Sequence, residues 1–324
     1  MSVAVGAGDT ATVLGGGIIG ATTAWRLADD GWDVELWSDR DCDATVSAVA
    51  AALWRPYRAE PQADVVRWSA RTLEVYLAQV EMPGSGITMV PGLELGREPL
   101  VDPAWGSVLA DFGHADVADL PPGYVDALAY RAPVAVMTTY LPWLLKRLAE
   151  RGVRLVRRRV ESLAAVTASR PWVVNATGLA ARELVPDGEV HPVRGQVLRL
   201  TNPGITHFRL DYHHPDGLTY VIPRGADVIV GGTDQECSWD TVVDAAQSEQ
   251  ILLRGRALHP DLERAEVLEA KVGLRPARSR VRVERERSEA GWLVHNYGHG
   301  GAGMTTAWGC ADDVADLLDR SRNS

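Results

Sequence analysis

The sequence predicts an α/β protein with a parallel sheet flanked by helices and a second, mostly antiparallel β-rich region. Three observations carry this expectation. Near the start, the apolar strand Thr12-Val13-Leu14 enters the turn Gly15-Gly16-Gly17-Ile18-Ile19-Gly20 and leaves as the helical run Ala21–Leu27. A second buried strand, Trp172–Asn175, ends in the small-residue turn Ala176-Thr177-Gly178. Its apolar run suits a parallel sheet covered on both faces. The middle of the chain instead alternates between turns, in Gln196–Leu200, Leu218–Ile222 and Asp227–Val230, as antiparallel strands do.

The first unit is Rossmann-like, because Gly15, Gly17 and Gly20 occupy the G-x-G-x-x-G positions. Gly15 permits the tight turn, Gly17 lets backbone approach a pyrophosphate, and Gly20 lets helix pack on strand. Ile18 and Ile19 open the helix, whose N-terminus offers N–H groups and a positive dipole end to phosphate. Val34–Trp37 is the next strand. Asp39 follows Gly20 by 19 positions, where a ribose-binding carboxylate is expected. Ala44–Ala52, closed by Leu53-Trp54-Arg55-Pro56-Tyr57, reads as a helix or tight loop delivering Trp54 to a packed site. Gln62–Val80 has helical periodicity. Two short β-prone pieces follow, Ile87–Val90 and Leu93–Leu95, then an amphipathic helix over Leu141–Arg151 ended by Gly152. The arginine-rich run from Arg151 to Val160 reads as a strand with solvated charges, not a nucleic-acid patch. The expected division is a discontinuous cofactor domain, residues 1–57, 138–190 and 284–324. Residues 58–137 and 191–283 would form the substrate and interface domain.

A chain of 324 residues with net charge −10 disfavours nucleic acid and anionic membranes as partners. Cys42, Cys237 and Cys310 are far apart and show no ligand spacing, so neither a metal site nor a disulfide framework is expected. No apolar run reaches membrane-spanning length, the first residues lack a signal-peptide pattern, and the polar end lacks a peroxisomal signal. A cytoplasmic protein, monomer or homodimer, is expected. The eleven tryptophans are assigned to packing.

Three stretches carry chemistry. In Gly273-Leu274-Arg275-Pro276, Pro276 fixes the backbone beside Arg275 at the expected start of a strand. Arg275 is either a clamp for a carboxylate or one surface arginine among several. Tyr220, in Thr219–Pro223, either donates its phenol to the same carboxylate or packs in the core. The third stretch gathers Gly298, Gly300, Gly301 and Gly303 before a helix expected from about Thr306 to Leu318. One pyrophosphate needs one glycine turn. A second helix N-terminus suits the negative charge of a reduced flavin, with Thr305 at its pyrimidine edge. His295 and His299 sit among these glycines, whose purpose is backbone geometry rather than acid–base chemistry.

In order along the chain, these pieces resemble the D-amino-acid oxidase family: Val13–Gly20, Ser38–Arg40, Leu53–Tyr57, Arg159–Ser162, Val174–Gly178, Arg194–Gln196, Tyr220–Pro223, Gly273–Pro276 and His295–Gly301. The resemblance implies FAD, a D-amino acid and molecular oxygen. Arg275 and Tyr220 would hold the substrate carboxylate, and the backbone carbonyl of Gly301 the amine. The Cα hydrogen would leave as hydride to flavin N5, and the imino acid would hydrolyse to a 2-oxo acid and ammonia. It also implies that Asp39 holds the ribose, and that Arg40 lies near a phosphate. Thr45, Ser47, Ala52 and Leu53 would face the flavin or phosphates and Val160 the adenine. Thr177, Gly178, Gly300, Gly303, Met304 and Thr305 would complete the cofactor site. The sequence departs from the family pattern twice. Asp216 stands where a second tyrosine is common, with Tyr212 as a substitute, so the lid is expected to be shorter. Arg55 lies in the side-chain region, where a free cation would favour D-aspartate or D-glutamate. Pairing with an internal carboxylate, or pointing to solvent, would leave neutral, mostly aliphatic side chains, the expected preference. The rivals are a sister oxidase for acidic D-amino acids or for glycine and N-methyl amino acids, a nicotinamide-dependent dehydrogenase, and a non-catalytic dinucleotide-binding protein.

Overall fold

The computed structural model describes residues 9–322, so the reading of the first residues and of the last two lies outside the described residues. The first half of the chain runs β1 (Thr10–Leu14), α1 (Ile18–Asp29), β2 (Asp33–Ser38), α2 (Val46–Val49), α3 (Gln62–Val80), β3 (Ile87–Gly96), β4 (Gly113–His114), β5 (Asp126–Ala135) and α4 (Met137–Glu150). Then come β6 (Arg154–Arg157), α5 (Leu163–Thr167), β7 (Trp172–Asn175), α6 (Ala181–Leu184), β8 (His191–Thr201) and β9 (Phe208–Asp211). The last part is β10 (Thr219–Pro223), β11 (Asp227–Gly231), β12 (Gln235–Glu236), α7 (Ala245–Leu258), β13 (Val267–Arg287), β14 (Trp292–His299) and α8 (Gly303–Arg322).

The strands follow the order β4-β5-β3-β9-β10-β11-β8-β13-β14-β7-β1-β2-β6, with β12 added to β8. One end, β14-β7-β1-β2-β6, is parallel. The remaining neighbours are antiparallel except β3 and β9. The 21-residue strand β13 joins the two regions. Its first half pairs with β8, its second with β14, and the register shifts between Ala277 and Arg282.

Several local expectations shift for identifiable reasons. Arg275 lies inside β13 rather than at the start of a strand, because β8 pairs with it from Val267 onward. Pro276 is tolerated there because it faces Pro192, so neither partner leaves an N–H unbonded. The two pieces expected around Pro91 and Gly92 form one strand, β3. A Cβ on Gly92 would lie 2.3 Å from the Phe208 ring, so β9 approaches over a residue that has none. Helix α4 begins at Met137, before the expected Leu141; Pro142 forfeits one bond near its start while Met137, Tyr140, Leu141 and Leu144 are buried. It ends with Gly152 at φ +81° and Val153 N–H bonded to Leu148 O at 3.0 Å. Helix α8 begins at Gly303 and takes in much of the polar end. Strand β6 is an edge strand, with Arg154 on Asp33 and Arg157 on Asp41 at 2.8 and 2.6 Å. Trp54 is fully buried, its indole N–H bonded to Ser69 O.

Among the described residues no helix is long and apolar enough to cross a membrane, and no cluster of His, Cys, Asp and Glu has the makings of a metal site. Helices α3 and α8 meet at Gly309, where an added Cβ would lie 2.3 Å from Trp68 Cα. Backbone cannot yield as a flexible side chain can. Gly309→Ala is therefore expected to lower unfolding stability by about 1–3 kcal/mol in urea titration.

Candidate active site

The first part of the site is built by two glycine turns. Gly15 has φ +116°, and a Cβ there would lie 2.3 Å from Ala176 O, at the end of β7. A Cβ on Gly20 would fall 1.8 Å from Gly15 O, so the turn closes only without side chains. Gly17 caps α1 with no side-chain bond to the helix, and Ile18 N–H donates to Ser47 Oγ at 3.1 Å. The start of α8 lies alongside, since a Cβ on Gly303 would come within 4.0 Å of Ile18 and Ile19 side chains. Two helix N-termini, both positive, converge on one place. This cradle fits a dinucleotide with an anionic centre and a second electron-rich end.

The other expected cofactor residues surround it unevenly. Asp39 and Arg40 bond each other through two contacts of 2.8 Å at the exposed end of β2. Val160 is half-buried beside the Leu14 and Trp37 cluster. Thr45 donates to Cys42 O, and Ala52, at φ +57°, accepts from Ala135 N–H next to the Leu53–Val134 bridge. Thr177 turns its N–H and hydroxyl to Asn175 Oδ1, and Gly178 rests near Pro276. Thr305 is spent on the backbone of Arg55, accepting its N–H at 3.0 Å and donating to its O at 3.1 Å. Met304 O accepts from the Tyr76 hydroxyl.

The second part gathers around Arg275. Its guanidinium donates to Thr233 O at 3.1 Å, and no carboxylate pairs with it among the described residues. The side chain lies flat across β8, where a Cβ on Gly195 would sit 2.5 Å from the guanidinium. Gly231 does the same for Tyr220, whose hydroxyl would be 2.3 Å from a Cβ. Burial pushes the Tyr220 phenol up, and the neighbouring Arg275 charge offsets part of that rise. Gly300, at φ +54°, donates its N–H to Pro276 O at 2.8 Å and so ties the second glycine turn to β13 beside Arg275. Arg275, Gly300 and Gly301 line one cavity of about 390 Å³ with Arg58, His191 and Glu236 at its edge.

Next to Gly301 lies a group that joins the expected side-chain residues Arg55 and Tyr212 to Tyr57, Glu94 and Asp234, to which the sequence assigned no role. Tyr57 packs on Gly301, where a Cβ would be 2.5 Å from its ring, and donates to Asp234 Oδ2 at 2.9 Å. It also stacks on Tyr212, ring centres 5.3 Å apart. Tyr212 reaches Tyr57 from the connection between β9 and β10, and Asp216 in that connection is exposed. Arg55 covers Tyr212, 4.2 Å from the ring centre, and meets Glu94 in a two-point pair of 2.7 and 3.2 Å. It is paired internally rather than free. Tyr57 was detectable through its place after Pro56. Glu94 and Asp234 carried no sequence signal, because a lone carboxylate in a strand or turn is usually solvated.

Burial disfavours the charged form of both histidines. His295 is buried against Asn175 and Glu286, and burial lowers its pKa. Burial alone pushes His299 down to about 3 from 6.5. The unfolded chain takes up this proton near its ordinary value while the folded chain refuses it. The stability this group confers is therefore complete above that value and is lost as pH falls toward about 3. Between pH 7.5 and 5.5 the loss is about 1.4 kcal/mol. A His299→Gln variant is expected to show an acid-induced loss smaller by about that amount in urea unfolding at the two pH values.

A family model described as FAD dependent oxidoreductase matches residues 10–317. A D-amino-acid oxidase of Rubrobacter xylanophilus is 44% identical over 309 residues, covering 95% of each chain. One of Streptomyces coelicolor is 44% identical over 308 residues, covering 94% of this chain and 95% of the other. The crystal structure of glycine oxidase from Geobacillus kaustophilus superposes with a TM-score of 0.80 at 19% identity, covering 97% of this chain and 95% of that one, a likeness of fold. With its paired glycine turns and a match across almost the whole length, the chain belongs to the DAO family of FAD-dependent oxidoreductases.

Proposed function

We propose that this protein is a D-amino-acid oxidase, converting neutral D-amino acids and oxygen into 2-oxo acids, ammonia and hydrogen peroxide. One observation carries the reading. Arg275 is a half-buried guanidinium with no carboxylate partner among the described residues, in the cavity that also holds Gly301. Such a charge calls for an anionic ligand, and its planar fork matches a carboxylate. Tyr220 lies beside it to donate a further hydrogen bond. The Gly301 carbonyl would accept from the substrate amine. The relatives named D-amino-acid oxidase support the same substrate class.

FAD, when bound, accepts the two electrons of the Cα–H bond and passes them to oxygen. The parallel end of the sheet would hold it. Gly15, Gly17, Gly20 and the start of α1 would take the pyrophosphate, and Asp39 the ribose, once released from Arg40. Val160 would meet the adenine, and the start of α8 the pyrimidine end. The chain's own share is orientation: two contacts fix the carboxylate and one the amine, so Cα–H has a single direction. When the substrate amine binds neutral, its extra proton has already gone to water. The nitrogen lone pair would then form the C=N bond as the Cα hydrogen leaves with its electron pair, so no protein base is needed. That agrees with buried, neutral His295 and His299. The imino acid then hydrolyses in water.

The test is anaerobic addition of L-alanine, D-alanine and D-valine to separate samples of purified protein while following the visible flavin band. Bleaching by the D-isomer alone is expected; a flavin band that neither D-alanine nor D-valine bleaches overturns the assignment. Arg275→Leu is expected to lower kcat/KM for D-alanine about 100- to 1,000-fold, equivalent to about 3–4 kcal/mol. Gly17→Ala separates fold from cofactor binding, because a Cβ there meets only Ser47 Oγ at 3.1 Å. It is expected to fold, by circular dichroism, yet to lose most of its FAD on gel filtration.

A further inference from the structure

The strongest unassigned feature is the pair formed by Arg55 and Glu94. Arg55 is held at both ends. Its backbone N–H and C=O both bond the Thr305 hydroxyl at the start of α8. Its guanidinium gives Nε–H and one terminal N–H to the two oxygens of Glu94 and another N–H to Pro56 O at 2.7 Å. Glu94 stands on β3 between β5 and β9, and the Tyr130 hydroxyl donates to it at 3.4 Å. The side chains are 18% and 11% exposed, so neither charge is spread into bulk water.

This pair lies one aromatic layer from the carboxylate anchor. Arg55 covers Tyr212, Tyr212 stacks on Tyr57, and Tyr57 packs on Gly301 and feels the charge of Arg275. A D-amino acid held by Arg275 and Gly301, with its Cα–H given to the cofactor, has one substituent left. That side chain would face the Tyr57–Tyr212 pair, because Tyr57 packs directly on Gly301 and the Arg55 guanidinium lies behind Tyr212. Arg275 and Arg55 therefore differ in one respect that matters: only Arg55 has a carboxylate of its own.

We infer that Glu94 is a specificity-determining residue, which cancels the charge of Arg55 and so excludes acidic side chains while leaving an aromatic wall for neutral ones. The inference rests on the oxidase reading above. It deepens that reading by locating the selectivity in a residue that need not touch the substrate. Removing either partner uncovers a charge of opposite sign. Glu94→Gln leaves a free cation, and Arg55→Gln leaves a free carboxylate. Removing both restores neutrality.

The experiment measures kcat/KM for D-alanine, D-glutamate and D-lysine in the native protein, E94Q, R55Q and R55Q/E94Q. The native protein is expected to prefer D-alanine to both charged substrates. In E94Q the D-glutamate to D-alanine ratio is expected to rise at least tenfold. In R55Q the D-lysine to D-alanine ratio is expected to rise, and in the double variant both are expected to return toward native values. A native protein that prefers D-glutamate, or an active E94Q with an unchanged ratio, overturns the inference. Should E94Q fail to fold, R55Q carries the test, and an unchanged D-lysine ratio there overturns it equally. Thermal shift with glutarate against butyrate supplies a readout without turnover, with selective stabilisation by glutarate expected in E94Q and not in the native protein. If no variant oxidises any D-amino acid but E94Q still selects glutarate, the oxidase reading fails and the charge masking stands.

Discussion

The site depends on one strand being long enough to belong to both halves of the sheet. β13 pairs with β8 through Ala277, and with β14 at Ala277 and again from Arg282, and the register shift between these two positions lies beside the cavity. Arg275 and Pro276 stand just before that shift. Pro276 O receives Gly300 N–H, so the strand that bears Arg275, the proposed anchor, also holds the second glycine turn. A hydrogen bond of 2.8 Å between backbone atoms sets this distance without any flexible side chain. Orientation-dependent chemistry needs that kind of rigidity.

Around this seam, charge is distributed with economy. Arg194 is 1% exposed and meets no carboxylate among the described residues. It is satisfied by Gln235, Gln247 and Gln196 side chains and by the carbonyls of Asp240 and Val242. A buried guanidinium costs much unless its donors are filled, and these acceptors bind the segment after β11 down onto β8. The first residues of that segment, Thr233 and Asp234, hold Arg275 and Tyr57. Of the arginines at the site, Arg55 and Arg58 have internal carboxylates and Arg194 has neutral acceptors. Arg275 alone of these keeps the capacity to bind an anion.

Much of this was legible in the residues. Gly15 and Gly20 report a backbone approach that no other residue permits, and the geometry around both bears this out. The helix over Gln62–Val80 follows from a local period and was read without error. By contrast, the elements around Pro91 and Pro142 run further than expected, because a proline's local cost is overridden when its neighbours are buried or its partner strand asks nothing of its N–H. The tryptophans were read as packing, and Trp25, Trp143 and Trp308 do pack on one another between α1, α4 and α8.

By itself, the sequence determined the glycine turns, the first strand–turn–helix unit, helix α3 and the residue types able to hold a carboxylate. These are properties of backbone freedom and of side-chain chemistry, both written locally. Only the tertiary structure decided which arginine is free. Arg55 and Arg275 are equally cationic as residues, and 39 positions separate Arg55 from the Glu94 that neutralises it. Electrostatic partnership acts through space over a few ångströms, so it belongs to strands and loops brought together by folding and has no signature along the chain.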